Sequence, residues 1–379
     1  MLPKRILFVF NWLVVGGEET ELRLLAKHLD PERYRLEVVA CFHKEGMSEQ
    51  THAQLETLGV PVDRTPYTLS FEDTVSYLAG KLPNYDLVVA TQAVPDVVPA
   101  LETLEPAQRP PLIEHGGLVE EAQRGPKHLT ARYVGVCGSI RDAAAATMPG
   151  REHQALMIPS MVDLSEFHPR CRAPVRRAWG VGEDAPVFGL VGRLDRKKRV
   201  EVFVEAAAHL YATHPAARFV VVGGPDAFMP EYAGELRALA RARGLGEVMT
   251  FLGDHDDVPR LLSGLDALVW LSKGEGMPHV VAEAGAAGLA VVATPDNGVL
   301  EQLTDLETGL FVPYDDPETT AAAMRRLADA PELRRQMGDA LRNKVEATYS
   351  AAVVTRQWEN LFDTVLADTS SETVAAEPT

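Results

Sequence analysis

The chain of 379 residues is 46% hydrophobic and 24% charged, which is enough for two globular domains, each with its own core. Its 37 Lys+Arg against 54 Asp+Glu leave a formal net charge of −17, so neither nucleic acid nor an anionic membrane surface is an expected partner. Cys41, Cys137 and Cys171 are far apart and form no Cys-x-x-Cys pair, which argues against a disulfide framework or a zinc site and for buried, reduced thiols.

Lys4-Arg5 leads directly into Ile6–Phe10, an apolar run too short for a signal sequence, and no later run reaches membrane-spanning length. A cytoplasmic protein without a transmembrane segment is expected. Apolar runs near 5–10, 36–41, 86–91 and 132–137 alternate with helical patterns near 18–29, 70–82 and 139–146, which predicts α/β layering over a parallel sheet. Between the first strand and the first helix lies Asn11-Trp-Leu-Val-Val-Gly-Gly-Glu-Glu-Thr20, where Gly16 and Gly17 form either a plain tight turn or a close backbone approach to a ligand. Trp12 is a packed loop aromatic or an acceptor platform. Glu114-His-Gly-Gly117 follows Leu112-Ile113, which puts His115 at a strand end facing a cleft, as a structural hydrogen-bonding group or a ligand contact.

Ile158–Pro169, followed by Arg170, Arg172, Arg176 and Arg177, is polar and punctuated by proline, and reads as an inter-domain linker. The second half repeats the α/β style, with strands at 187–191, 218–222, 248–252, 267–271 and 290–294 and helices near 200–213, 231–243, 279–287 and 317–348. Gly192-Arg-Leu-Asp-Arg-Lys-Lys-Arg199 follows a buried strand and opens a helix, so Arg193 and either Lys197 or Lys198 sit where an anion is favoured. Ser272-Lys-Gly-Glu-Gly-Met-Pro-His-Val-Val-Ala-Glu283 is another strand, glycine turn and helix, entered through Pro278 as a first-turn residue. Glu275 lies in that turn, and Glu283 lies about one and a half turns into an apolar helix, where ribose hydroxyls are suitable donors to it. The helical pattern from Ala351 to Leu366 has an apolar face of Val354, Trp358, Leu361, Phe362 and Val365, and residues 368–379 read as a disordered tail.

Glu275 and Glu283 have the spacing of the Glu, seven residues, Glu signature, and in this context the chain resembles the retaining glycosyltransferases of family 4. The resemblance implies the GT-B architecture: two Rossmann-like, doubly wound α/β domains with an inter-domain cleft. An N-terminal acceptor domain, 1–165, would be completed by the C-terminal helix, 351–367, and a donor domain would span 170–350. It implies that Glu275 contacts the transferred sugar and Glu283 the ribose, with Gly276, Met277, Pro278 and His279 lining the sugar and diphosphate. Arg193 and Lys198 would grip the diphosphate, Gly16 and Gly17 would touch phosphate and sugar, and His115 would hydrogen-bond the donor sugar. Met277-Pro278-His279 departs from the commoner Phe-Gly-Leu, and proline removes one amide donor. Arg199 stands where the family usually has glycine. Asn297-Gly298, with Glu301-Gln302, resembles the family's loop near the nucleotide, although Asn-Gly is foremost a turn.

The expected activity is hexosyl-type transfer from a nucleoside diphosphate sugar to an acceptor hydroxyl, retaining, with no metal and no cofactor beyond the donor substrate. Residues 1–165 hold 15 Lys+Arg and 22 Asp+Glu, about −7, which favours a soluble small-molecule or glycan acceptor over peripheral membrane contact. A sugar-nucleotide epimerase and a catalytically silent nucleotide-sugar-binding subunit would share the phosphate grip. A nicotinamide oxidoreductase fits less well, because no Gly-x-Gly-x-x-Gly lies between the first strand and helix.

Overall fold

Short runs of Val, Ile, Leu and Phe form the strands of two separate parallel sheets, and the amphipathic segments between them cover both faces of each. The computed structural model describes residues 2–125 and 127–375, with side chains described through residue 368. The chain divides into one unit of residues 1–161 with the chain from 351 onward, and a second of residues 162–350.

The first unit has strands β1 (Lys4–Trp12), β2 (Tyr34–Phe42), β3 (Val62–Asp63), β4 (Leu87–Thr91), β5 (Leu112–Gly116), β6 (Thr130–Gly135) and β7 (Ala155–Met157). Its helices are α1 (Gly17–His28), α2 (Gln50–Thr57), α3 (Phe71–Lys81), α4 (Val94–Glu102), α5 (Val119–Ala122) and α6 (Gly138–Ala145). The second unit has β8 (Val187–Val191), β9 (Arg218–Val222), β10 (Met249–Gly253), β11 (Ala267–Trp270), β12 (Ala290–Ala293) and β13 (Gly309–Phe311). Its helices are α7 (Ala173–Ala178), α8 (Val200–Tyr211), α9 (Tyr232–Ala242), α10 (Val258–Leu262), α11 (His279–Ala286), α12 (Val299–Gln302), α13 (Pro317–Asp329) and α14 (Pro331–Thr348). The final helix, α15 (Ala351–Ala375), belongs to the first unit.

The strand orders are β3-β2-β1-β4-β5-β6-β7 and β10-β9-β8-β11-β12-β13, with every ladder parallel. Each order reverses direction once, between β1 and β4 and between β8 and β11. Loops leaving the carboxyl ends of those strands diverge and leave a crevice, which is where open α/β sheets bind ligands. The two units thus repeat one doubly wound topology.

The core of the first unit has two layers. Ile6, Phe8 and Phe10 of β1 face α1 and α15, while Leu7 and Val9 face α3 and α4, as the period of two requires. Trp358, Leu361, Phe362 and Val365 supply the apolar face expected of the last helix, and all are buried in this unit. Glu21 of α1 is buried beside them. One of its carboxylate oxygens accepts from Trp358 Nε1 at 3.2 Å and the other from Met161 N at 3.2 Å, so a single side chain ties α15 and the end of the first chain segment to α1.

The boundary between the two units falls inside the stretch read as a linker, and much of that stretch is buried: Ile158, Met161, Val162 and Phe167 are enclosed, and Arg176 is 1% exposed. Arg176 meets Asp266 at 2.5 Å, Arg172 and Arg334 meet it at 3.0 and 3.1 Å, and Val187 N donates to it at 2.8 Å. Three readings from the sequence are corrected. The pattern at 317–348 is two helices, because Pro331 cannot continue α13 and instead opens α14. The tail expected to be disordered from 368 continues α15 through Ala375, since extending an existing helix costs far less than nucleating one; residues 376–379 lie outside the described residues. Cys171 is exposed, whereas Cys41 and Cys137 are buried as expected.

Burial raises the Glu21 carboxyl from its ordinary value of 4.5 to about 7, against the lowering effect of its two hydrogen bonds. Because the folded pKa exceeds the unfolded one, the folded state holds an extra proton between those values. Stability therefore falls as pH rises from 4.5 to about 7 and is flat above, by about 3 kcal/mol for this group. Glu18, Glu121 and Asp96, also raised, add slope of the same sign. Urea unfolding from pH 5 to 8 should show the first unit losing stability with rising pH, with a shallower slope in Glu21→Gln.

Candidate active site

At the switch point of the second sheet, backbone approaches backbone more closely than any side chain would permit. Gly223 has φ 137°, and a Cβ there would lie 2.0 Å from the Gly192 carbonyl oxygen. The ends of β8 and β9 are joined by Gly192 N to Val222 O at 2.9 Å and by Leu194 N to Gly224 O at 2.8 Å. Arg193 projects from this crossing, about half exposed, with its Nε 2.8 Å from Asp226 Oδ2.

The basic run that follows is shaped by Asp195, which accepts from Lys197 N at 2.8 Å and Lys198 N at 3.2 Å and starts a short 3-10 turn. Arg199 then adopts φ 53° and ψ 40°. That left-handed conformation explains the glycine expected at this position: a non-glycine residue there carries a steric cost of about 1 kcal/mol. Here the guanidinium is held by Asp315 and Glu201. The turn sends the two lysines in different directions. Lys197 is exposed, while Lys198 turns back under Gly192 and places Nζ 2.6 Å from Glu275 Oε1, with both side chains about one-fifth exposed.

Glu275 sits in the turn after β11, and the loop after β12 braces that turn. Asp296 Oδ2 accepts from Glu275 N at 3.0 Å, and Asn297 Nδ2 donates to Glu275 O at 2.5 Å. Gly298 N donates to Gly276 O at 2.8 Å, Thr294 Oγ1 to Ser272 O at 2.8 Å, and Gln302 Nε2 to Pro278 O at 3.0 Å. Asn297-Gly298 is thus a support for the turn. Asp296 and Thr294 had no signal in the sequence beyond being polar residues after a strand, and Gln302, placed near the nucleotide by the resemblance, braces Pro278.

Pro278 is the N-cap of α11, at φ −72° and ψ 126°, and not a first-turn residue; its missing N–H leaves no helical bond unmade. Gly276, Met277 and Pro278 are buried, and His279 and Glu283 are half-buried on the helix they open. The second unit therefore gathers Arg193, Lys198, Glu275, Gly276–His279 and Glu283 at one switch point.

In the first unit, Gly16 is the N-cap of α1 and Gly17 its exposed first residue. A Cβ on Gly16 would lie 2.5 Å from Glu19 Oε2, and Glu19 in turn accepts from Val14 N at 3.3 Å. His115 is 5% exposed, and its ring packs edge-on against Trp358 at 5.3 Å, a contact internal to this unit. The first sheet carries a second polar group: Glu18, Gln92, Gly117, Glu121 and Tyr133 lie together around its switch point. Glu114 and Lys127 beside them form a buried pair at 2.6 Å.

Residues 172–344 match the family model described as Glycosyl transferases group 1. Over that stretch the chain is similar to this family. A D-inositol 3-phosphate glycosyltransferase of Actinosynnema mirum is 34% identical over 190 residues, 48% of this chain and 46% of that protein. An alpha-D-kanosaminyltransferase of Streptomyces kanamyceticus is 32% identical over 193 residues, 50% of this chain and 48% of the relative. The chain thus spans about half the length of the curated relatives it matches. Among solved structures, Anabaena HepE in complex with UDP and glucose superposes with a TM-score of 0.82 at 19% identity, over 95% of this chain and 99% of that one. Sucrose-phosphate synthase from Thermosynechococcus elongatus gives 0.75 at 20% identity, over 96% and 100%. These likenesses match the fold expected from the sequence, two Rossmann-like α/β domains of the GT-B type. No helix among the described residues is long and apolar enough to cross a membrane.

The brace makes the site sensitive to a single methyl group. A Cβ on Gly298 would lie 2.7 Å from Met277 Cβ and 2.8 Å from Gly276 O, so Gly298→Ala must displace the Glu275 turn. It should lower the stability of the second unit by about 1–3 kcal/mol, the usual cost of overpacking, measured by urea unfolding.

Proposed function

We propose that this protein is a retaining glycosyltransferase whose second unit binds a nucleoside diphosphate sugar and whose first unit binds the acceptor. The observation that carries this reading is the convergence of Arg193, Lys198, Glu275 and the start of α11 at the switch point of a group 1 glycosyl transferase domain. Arg193 and Lys198 face the diphosphate, and Glu283 accepts hydrogen bonds from the ribose hydroxyls. Glu275 takes a hydroxyl of the transferred sugar, next to the amides of the turn from Gly276 to Met277 and of His279. HepE was crystallised with UDP and glucose, and those ligands are of the class proposed here.

In the absence of donor, Lys198 neutralises Glu275. A diphosphate competes for that ammonium, so Lys198 is shared between the sugar-binding carboxylate and the leaving group. As the C1–O bond to the diphosphate breaks, negative charge grows on the phosphate oxygen. The two cations and the helix N-terminus offset it in a site already organised before charge develops. The acceptor oxygen bonds to C1 on the face the diphosphate is leaving, and its proton passes to the departing phosphate oxygen. No metal is required in this scheme. The thiol pattern and the acidic composition fit a cytoplasmic enzyme acting on a soluble small molecule or glycan.

Glu283→Gln should weaken binding of UDP or another accepted nucleoside diphosphate by roughly 1–3 kcal/mol, the scale of a charged hydrogen bond, while the fold survives. Unchanged calorimetric affinity in the folded variant would remove Glu283 from the ribose. The stereochemical test is independent: the anomeric proton coupling in the product should match that of the donor, and turnover should persist in chelator. An inverted product or complete loss of activity in chelator would overturn the mechanism.

A further inference from the structure

The switch point of the first sheet is built in the opposite charge sense from that of the second. We propose that it is an acceptor site for a protonated amine, with Glu18 and Glu121 as counter-charges and the Tyr133 hydroxyl as a hydrogen-bonding partner. This inference rests on the transferase reading for the word acceptor, but not for the amine.

Three observations carry it. The first is unmet hydrogen-bonding capacity: Tyr133 is 2% exposed and its Oη has no partner, and the enclosed Glu18 Oε1 and Gln92 Oε1 likewise have none. Buried polar atoms are nearly always paired, so three orphans in one place mark a missing partner.

The second is convergence on two glycines. A Cβ on Gly116 would lie 1.9 Å from Tyr133 Oη, and one on Gly117 would lie 3.0 Å from Glu18 Oε1. Gln92, directly after β4, adopts φ 60° and donates its side-chain amide to Glu18 Oε2. Gly117 N donates to Glu121 Oε2 at 3.2 Å. The ends of β1, β4, β5 and β6 thereby present one cluster.

The third is uncompensated charge. Burial raises Glu18 well above its usual range, and Glu121 from α5 and Glu19 from Glu18's own helix α1 raise it further, against hydrogen bonds from Gln92 and Gly117. Glu121 is raised as well, chiefly by burial, with the amides of Gly117 and Leu118 and then Arg124 only partly opposing this. Burial and then Glu114, Glu121 and Glu18 push up the Tyr133 hydroxyl, so it faces the cluster in its neutral form. Lys127, whose Nζ lies 5.2 Å from the Tyr133 ring centroid, is bound by Glu114 at 2.6 Å and by Arg124 O at 2.7 Å and cannot neutralise Glu18. A neutral polyol would leave this repulsion in place, and a phosphorylated acceptor would worsen it. An ammonium group relieves it and supplies donors to the orphaned oxygens. Its arrival drives the Glu18 proton into solvent, because a nearby cation favours the carboxylate.

The test is calorimetry on the full chain at pH 7, in phosphate and in HEPES, with glucosamine and 2-deoxystreptamine as amine probes and glucose and myo-inositol as neutral counterparts. The amines should bind about tenfold or more tighter than the neutral probes, the scale of one charge-assisted hydrogen bond. The binding heat should depend on the buffer in the sense of proton release. Glu18→Gln should lose that release and most of the preference while still binding UDP, and Tyr133→Phe should weaken the amines but keep the release. Equal affinity for amines and neutral probes, or an unchanged preference in folded Glu18→Gln, would overturn the inference. If UDP and UDP-glucose fail to bind while the amines bind as described, the transferase reading falls and the amine site stands; the reverse result separates them the other way.

Discussion

The contact on which the second unit's site depends is the ion pair between Lys198 and Glu275, 2.6 Å long and reaching from the loop after β8 to the loop after β11. These two strands are neighbours at the point where the sheet reverses direction, so their loops part, and the ion pair joins them beside a backbone bond from Lys273 N to Lys197 O at 3.1 Å. Each partner is fixed from behind. Asp195 caps the turn that aims Lys198, and Asp296 with Asn297 holds the backbone that presents Glu275. Remove either support and the bridge must be made by two long, freely rotating side chains, at a larger entropic cost.

A second charge network does for the scaffold what this pair does for the site. Asp266 lies at the start of β11, is 6% exposed, and receives Arg176, Arg172 and Arg334 together with the amide of Val187. Arg176 also donates to the carbonyls of Gly264, Glu183 and Ala185. Burying one carboxylate under three guanidiniums is tolerable only because nearly every donor finds an acceptor. The arrangement pins the entry to β8 and β11, the two strands after which Lys198 and Glu275 lie, so the basic stretch between the units also works as a clamp.

What could be read from the sequence divides along a physical line. Strands with continuous apolar runs, the glycine turns at 192 and 274–276, and the paired glutamates were legible because each depends on local pattern or on a residue type with one conformational use. The β8–β9 crossing at Gly192 and Gly223 and the left-handed Arg199 were half legible: the motif positions were visible, but the backbone geometry that demands them was not. Asp296, Asp266 and Glu21 were not legible. Each is an ordinary acidic residue in a loop or on a helix, and it acquires its role only when a distant segment arrives, 21, 68 to 94, and 140 to 337 residues away respectively. Short elements such as β7, β13, α10 and α12 were missed for a related reason: with three to five residues their periodicity cannot be told from chance.

The two sheets share a topology, and their switch points have opposite chemistry. After β8 and β11 the chain places Arg193, Lys198 and a helix N-terminus, all of which favour an anion. After β1, β4 and β5 it places Glu18, Glu19 and Glu121, which disfavour one. If the two units bind donor and acceptor as proposed, a diphosphate entering the first unit would meet carboxylates already reluctant to ionise beside one another, and charge would sort the ligands before any shape is tested. Sorting by charge also explains why an overall charge of −17 is compatible with binding a polyanion. The acidic surplus is spread over the chain, whereas the few cations that matter are held in place by Asp195, Asp226 and Glu275, so that a diphosphate has only to displace contacts already shaped to receive it.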